Sequence, residues 1–295
     1  MSFRGVMPAI TTPFTANDRV DFDFLRQHVA WLAEHGVTAI VPLGSLGEGA
    51  TLDFDEKRTI LEACVTASRL PVMAAVSALS TREACRIATT ARDVGCKALM
   101  VLPPYVHKGP PHELHDHFTA VFEATDLPCM IYNNPIAYGA DLTPPVIADF
   151  AERYSNVMAV KESSGDSRRI TAVRALCGDR LALFAGLDDM ILEGIAAGAV
   201  GWIAGLVNAM PAESVALFDK AIAGEAALAF ELYRWFLPLL RLDTVPEFVQ
   251  LIKLVQQECG MGSERCRAPR TPASGAQREA ALAVIAHALA TRPRL

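Results

Sequence analysis

A chain of 295 residues, 52% hydrophobic and 20% charged, can bury a sizeable core, and no low-complexity tract interrupts it, which excludes a disordered protein. The net charge of −6 is mildly acidic and Lys and Arg are scattered, which sets nucleic acid aside as a partner. The opening MSFRGVMPAITTPF lacks an export signal, no run of eighteen apolar residues occurs, and the seven cysteines form no CxxC pair, so a reduced, cytoplasmic setting away from membranes is expected.

Short apolar runs alternate with longer segments of helical period, the pattern of repeated βα units around a parallel sheet. The predicted strands are VMPAIT (6–11), AIVPLG (39–44), PVMAAVS (71–77), ALMVLP (98–103), PCMIYN (128–133), VMAVKE (157–162), LALFAG (181–186) and VGWIAG (200–205). Between them, Asp21, Asp53, Ser80 and Thr143 stand where helices start, and Gly36, Gly95, Gly178 and Gly198 where helices stop. Eight strand-helix units predict an α/β fold of the (β/α)8 TIM-barrel type over 1–223. The remaining 224–295 reads as three further helices, a C-terminal extension packed on the barrel.

In such a barrel the active site lies where the strands end. That rule selects Glu48 and its turn GSLGEG after strand two, Tyr105 after strand four, Tyr132 on strand five and Lys161 on strand six, with Gly186 and Ile203 from strands seven and eight at the same mouth. A lysine facing inward loses hydration, which lowers its pKa from ~10.4 toward the ~7–8 of a nucleophilic amine able to form a Schiff base with a carbonyl. The bland alternative is a strand-end lysine that reaches solvent or pairs with Glu162. Tyr132, a phenol that could move protons as the adduct forms and collapses, favours the nucleophile.

The ordered motifs GVMPAITTPF, GSLGEG, LPPYVHKG, YNNP, VKESSGD and the late CRAP segment resemble the dihydrodipicolinate synthase and N-acetylneuraminate lyase family over nearly the whole chain. The resemblance implies Lys161 as the Schiff-base lysine and Tyr132 as the catalytic tyrosine, with Ser45 hydrogen-bonding Tyr132 in a proton relay. It implies that Tyr105 reaches across a dimer into the neighbouring site, and that the chain forms a homodimer or homotetramer. Ser45 and Leu46 would offer backbone N–H groups to the substrate carboxylate, and Glu48 would support their turn rather than do chemistry. No cofactor and no metal are implied.

Two departures bear on substrate. Ala137, in PIAYG, replaces the arginine with which the synthases grip a second carboxylate, and no nearby arginine obviously substitutes, so lysine biosynthesis is disfavoured. Leu46 replaces a threonine and makes the pocket less polar. GSLGEG, YNNPIAYGADL and KESSGDSRRI look most like the 1-pyrroline-4-hydroxy-2-carboxylate deaminases of hydroxyproline breakdown, which points to a small 2-oxo or cyclic imino acid. The alternatives are a 2-keto-3-deoxy sugar acid dehydratase, a pyruvate-dependent aldolase, or a barrel that binds a keto acid without catalysis.

Other clusters carry less. His112, His115 and His117 do not share one helical face, so a solvated helix is preferred to zinc. GSLGEG lacks the endings of nucleotide loops. Asp188 and Asp189 are expected to cap the next helix, and Trp202, Trp235 and Phe236 to be core or interface residues.

Overall fold

A computed structural model describes residues 3–295, so the first two positions of the 1–223 unit lie outside the described residues. Seven strands form one sheet: β1 (Gly5–Pro8), β2 (Met73–Val76), β3 (Ala98–Val101), β4 (Cys129–Asn133), β5 (Val157–Glu162), β6 (Ala182–Ala185) and β7 (Gly201–Ala204). All pairings are parallel, in the order β1-β7-β6-β5-β4-β3-β2. Strands β2, β3 and β4 are buried on both faces, as parallel strands covered by helices should be.

The predicted strand 39–44 is not a regular strand. Only isolated bridges remain, Ala9 to Val41 and Ile40 to Val72. Pro42 has no N–H to give to a ladder, and Leu43 turns into the left-handed region at φ 70°, so extended pairing stops within a few residues. The segment still does a strand's topological work. The Val41 N–H donates to Pro8 O at 3.0 Å on one side, and the Ile40 N–H donates to Pro71 O at 3.0 Å on the other. The two outer strands of the sheet are thereby joined through one chain segment, and the sheet curls on itself.

Helices follow the strands: α1 (Phe22–Glu34), α2 (Phe54–Ala67), α3 (Thr81–Asp93), α4 (Pro111–Glu123), α5 (Pro135–Tyr138), α6 (Pro144–Arg153), α7 (Arg168–Cys177), α8 (Ile191–Ala196) and α9 (Pro211–Ile222). Their starts are local chemistry. The Asp21 carboxylate accepts from the Phe24 N–H, Ser80 from the Glu83 N–H, and Asp53 with Glu56 forms a reciprocal capping box. Each such cap is worth about 1 kcal/mol. Thr143 occupies the N-cap of α6 without a side-chain bond.

Beyond α9 come α10 (Ala226–Leu240), α11 (Phe248–Glu258) and α12 (Gly275–Ala290). A 3-10 turn, Arg241–Asp243, joins α10 to the loop before α11. No described helix is long and apolar enough to cross a membrane.

Candidate functional site

The strand ends converge on a cavity of about 470 Å³. Its wall holds Lys161, Tyr132, Ser45, Leu46, Gly186 and Ile203, so the residues selected from sequence come together, with the exceptions of Tyr105 and Glu48.

Sheet register brings the central pair together. Tyr132 on β4 lies directly opposite Lys161 on β5, and the Lys161 ammonium stands 4.3 Å from the centre of the Tyr132 ring. Lys161 is 6% exposed, yet among the described residues its Nζ has no hydrogen-bond or ion-pair partner. Glu162, its neighbour in sequence, points to the other face of the strand. There its carboxylate accepts from Asn133 Nδ2 at 3.1 Å and from the Ser164 N–H at 2.7 Å, with Arg169 at 3.7 Å. Burial nonetheless raises the Glu162 pKa above the usual carboxylate range. The Lys161 to Glu162 pairing, which was the bland alternative, does not occur.

Room for the lysine is made by Gly186. A Cβ at that position would sit 2.9 Å from both Cγ and Cε of Lys161 and 1.9 Å from Ser163 Oγ. Any side chain there would displace the lysine.

The turn GSLGEG is held in a shape that few residues tolerate. Leu43 and Glu48 both have positive φ, and a Cβ on Gly49 would lie 2.1 Å from Leu43 O. Among the described residues neither the Ser45 nor the Leu46 N–H finds an acceptor, which leaves two donors at the cavity. The Glu48 carboxylate, 1% exposed, faces away from the cavity into a buried seam, where it takes Lys253 Nζ and, at 2.9 Å, the Arg267 N–H.

The expected Ser45 to Tyr132 hydrogen bond is corrected. Ser45 Oγ bonds the hydroxyl of Tyr138 instead. Tyr138 ends α5, a single turn whose N-cap Asn134 accepts from the Ala137 N–H at 2.9 Å, and this turn swings the phenol back over the cavity. Its ring meets Tyr132 edge-on at 5.8 Å. Burial, then the Tyr132 phenol beside it, pushes the Tyr138 pKa well above the usual tyrosine range, so it stays a neutral donor. The Tyr132 hydroxyl accepts from Asn134 Nδ2 at 3.0 Å. Tyr105 is not on the cavity wall; it stacks behind Tyr138, ring centres 5.8 Å apart.

Three further residues at the cavity escaped the sequence reading. Arg270, from the CRAP segment's far side, lines it, which corrects the statement that no arginine is near. Asn134 and Asp243 line it too. Asp188 does not cap the helix that follows it. Wholly buried, its carboxylate accepts from Trp202 Nε1 at 3.1 Å, the Gly205 N–H at 3.1 Å and the Leu206 N–H at 2.9 Å, pinning the end of β7. Burial pushes its pKa up to about 6 despite these donors.

The histidine group separates. His115 reaches Asp149 at 3.1 Å, and His117 is buried against Thr81 at 3.0 Å, which corrects its placement on a solvated face.

The family model for the dihydrodipicolinate synthetase family matches residues 2–288. A 4-hydroxy-tetrahydrodipicolinate synthase of Methanothrix thermoacetophila is 34% identical over 92% of each chain, and one of Methanopyrus kandleri is 35% identical over 90% of this chain and 89% of the other. Among solved structures, the chloride-inhibited dihydrodipicolinate synthase of Acinetobacter baumannii, complexed with pyruvate, superposes with a TM-score of 0.92 at 29% identity, over 97% of this chain and 99% of the other. With a curled parallel sheet of the TIM-barrel kind and these relatives, the chain belongs to the dihydrodipicolinate synthetase family and is an enzyme of its class I aldolase-type lyases.

Proposed function

We propose that the protein forms a Schiff base between Lys161 and a small 2-oxo or cyclic imino acid, and that its reaction is the deamination of 1-pyrroline-4-hydroxy-2-carboxylate to 2,5-dioxopentanoate and ammonia. The observation that carries this reading is the Lys161 ammonium, buried, unpaired and open to a cavity of about 470 Å³, with the Tyr132 ring against it. Among the described residues no hydrogen bond or ion pair occupies its nitrogen, which leaves that atom free to meet a carbonyl carbon. Apolar Leu46 and Ala137 in the wall suit a small substrate, and pyruvate bound by the Acinetobacter relative is a 2-oxo acid.

In this mechanism the substrate carboxylate sits on the Ser45 and Leu46 N–H groups. The Lys161 amine adds to C2, and the ring C2–N bond breaks as that nitrogen takes a proton, which gives an open-chain Schiff base. A proton leaves C3, and the electron pair expels the C4 hydroxyl, protonated, as water. Tautomerisation moves a proton from C5 to C3, which gives a C4=C5 enamine; a second proton then passes from its nitrogen to C4 and leaves an imine at C5, whose hydrolysis releases ammonia. Hydrolysis of the lysine imine then frees the 2-oxo group. One water is lost and two are added, so the net reaction consumes one water. Tyr132, Tyr138 and Ser45 are the groups placed to move these protons. Tyr105 is assigned a supporting role behind Tyr138 unless a partner subunit brings its own tyrosine to the cavity.

Arg270 favours a second reading. An arginine on the cavity wall can bind a second carboxylate, as a synthase or pyruvate-dependent aldolase requires, and it stands in for the side chain absent at Ala137. One experiment separates the two. Borohydride trapping followed by mass spectrometry locates the adduct, and ammonia release from the hydroxypyrroline acid is compared with condensation of pyruvate and an aldehyde acid. Adduct at Lys161 with ammonia release supports the deaminase; condensation without ammonia supports the synthase; modification of another lysine removes both.

We further propose that 1–223 is the catalytic barrel and 224–295 a helical region packed on it, supported by the reach of Lys253 on α11 to Glu48. A dimer or tetramer in the cytoplasm is proposed as well, supported by the exposed apolar Leu79 and Val106 and by seven free cysteines.

A further inference from the structure

Two carboxyl groups approach the cavity beside the end of β7, and the protein treats them differently. Asp188 collects every donor there: the Trp202 indole and the Gly205 and Leu206 N–H groups. Asp243, delivered by the 3-10 turn after α10, lines the same cavity as Lys161, and its buried Oδ1 has no hydrogen-bond partner among the described residues. Nor is its position incidental. A Cβ on Gly205 would lie 2.1 Å from Asp243 Oδ1, so a glycine is needed there to admit the carboxyl.

A buried carboxyl oxygen without a partner is unfavourable unless something completes it. Burial first, and the negative charge of Asp188 second, hold the Asp243 pKa well above the usual carboxylate range, with Lys161 opposing and Asp189 adding to the rise. A neutral carboxyl both donates and accepts. It would repel nothing and could grip a hydroxyl. Anionic groups on the substrate have better hosts elsewhere in the cavity, at the free N–H groups of the GSLGEG turn and at Arg270.

We propose that Asp243 is a specificity-determining residue whose carboxyl hydrogen-bonds a hydroxyl carried on the substrate chain beyond the carbon that Lys161 attacks. This rests on the Schiff-base reading of Lys161 and names the substrate class of that site: hydroxylated 2-oxo or imino acids rather than plain ones. A site built around a substrate hydroxyl discriminates against the analogue that lacks it, because the protein group is then left unpaired.

The test compares 4-hydroxy-2-oxobutanoate with 2-oxobutanoate on the wild-type chain, Asp243→Asn, Asp243→Leu and Gly205→Ala. Two readouts are taken: the concentration that gives half-maximal trapped adduct, and affinity by calorimetry. The wild type should favour the hydroxylated acid by about 30-fold. Asp243→Asn keeps a donor and an acceptor in place and should retain most of that preference. Asp243→Leu should bring it within about threefold of unity, since an apolar side chain cannot pair the hydroxyl. Gly205→Ala, whose methyl displaces the carboxyl, should do the same and replaces the leucine variant if that one does not fold. Equal affinities in the wild type, or a preference unchanged in Asp243→Leu and Gly205→Ala, would overturn the proposal. Adduct on a lysine other than Lys161 would instead overturn the Schiff-base reading, while calorimetry still decides on Asp243.

Discussion

Lys161 and Lys253 are both buried, 6% and 1% exposed, and the two regions that hold them provide for the charge in opposite ways. In the seam under the GSLGEG turn, Lys253 is saturated. It bonds the Glu48 carboxylate and donates to Thr12 O at 2.8 Å and Arg265 O at 2.7 Å. Burial lowers its pKa, with the Arg270 charge adding a little, and the Glu48 charge works against that fall. At the cavity, Lys161 has an aromatic face and, among the described residues, no hydrogen-bonded oxygen. A buried lysine is therefore structural or reactive according to its partners rather than its depth. The seam uses the charge to fix a turn; in the Schiff-base reading proposed above, the cavity leaves the amine open to a carbonyl carbon.

The largest expected effect breaks the cavity side. Lys161→Met should abolish trapping and lower kcat/KM by about 10³-fold or more, as removal of a nucleophile does. Its thermal midpoint should stay equal or rise, because an unpaired buried cation is being replaced by an apolar chain. A fall in the midpoint comparable with that of a core truncation would show that Lys161 is paired after all.

Lys253→Met tests the other side. It leaves Glu48 buried and unpaired, for an expected loss of about 3–5 kcal/mol in urea unfolding. Glu48→Gln combined with Lys253→Met should cost clearly less than the sum of the single changes. Additivity would mean that the pair is not coupled.

A third buried base sharpens the contrast. His28, on α1, is 1% exposed, and burial lowers its pKa from 6.5 to about 4 although its ring bonds Asn208 O at 2.9 Å. Between pH 6.5 and 4 the unfolded chain takes up a proton that the folded chain refuses, so this residue's contribution falls as pH falls. The loss reaches about 3 kcal/mol below pH 4. Asp188, with its raised pKa, acts in the opposite sense over pH 6 to 3.8, since there the folded chain binds the proton first. The quantity to measure is thus the pH dependence of the stability difference between wild type and His28→Leu. A difference that stays level from pH 7 to 4 would mean that His28 is charged in the fold.

The smallest effects expected are those of Tyr138→Phe and Tyr105→Phe. Removing the Ser45 partner should lower kcat by about 10- to 100-fold with KM little changed and shift the alkaline limb of the pH profile. Tyr105→Phe should do less in the same assay. Equal effects would place the relay through Tyr105 instead.

What could be read in the sequence was what local chemistry decides. Asp21, Asp53 and Ser80 announce helices because a cap needs only a side chain and an N–H a few residues away. Lys161 and Tyr132 were legible because strand ends in a parallel sheet share one mouth. The rest depended on distance or on a single turn. Ser45 and Tyr138 are 93 positions apart, and only the one-turn helix α5 brings the phenol back. Asp188 finds its donors on the next strand rather than the next helix. Asp243 and Arg270 come from the C-terminal 72 residues, where helical period predicted packing and nothing marked a side chain for the cavity. The lost ladder at 39–44 could have been inferred from Pro42; the left-handed Leu43 could not.

The seam between Glu48 and Lys253 also sets an order of events during synthesis. The partners are separated by 205 positions, so the turn that presents the Ser45 and Leu46 donors lacks its anchor until nearly the whole chain has been made. At about 5–20 residues per second, the ribosome needs roughly 10–40 s to deliver it. A nascent chain can curl its sheet in that interval while Glu48 stays without its counter-ion. The turn is therefore anchored late, when α11 docks, so a prematurely terminated chain would carry Lys161 and Tyr132 yet lack the Lys253 contact that holds the GSLGEG turn.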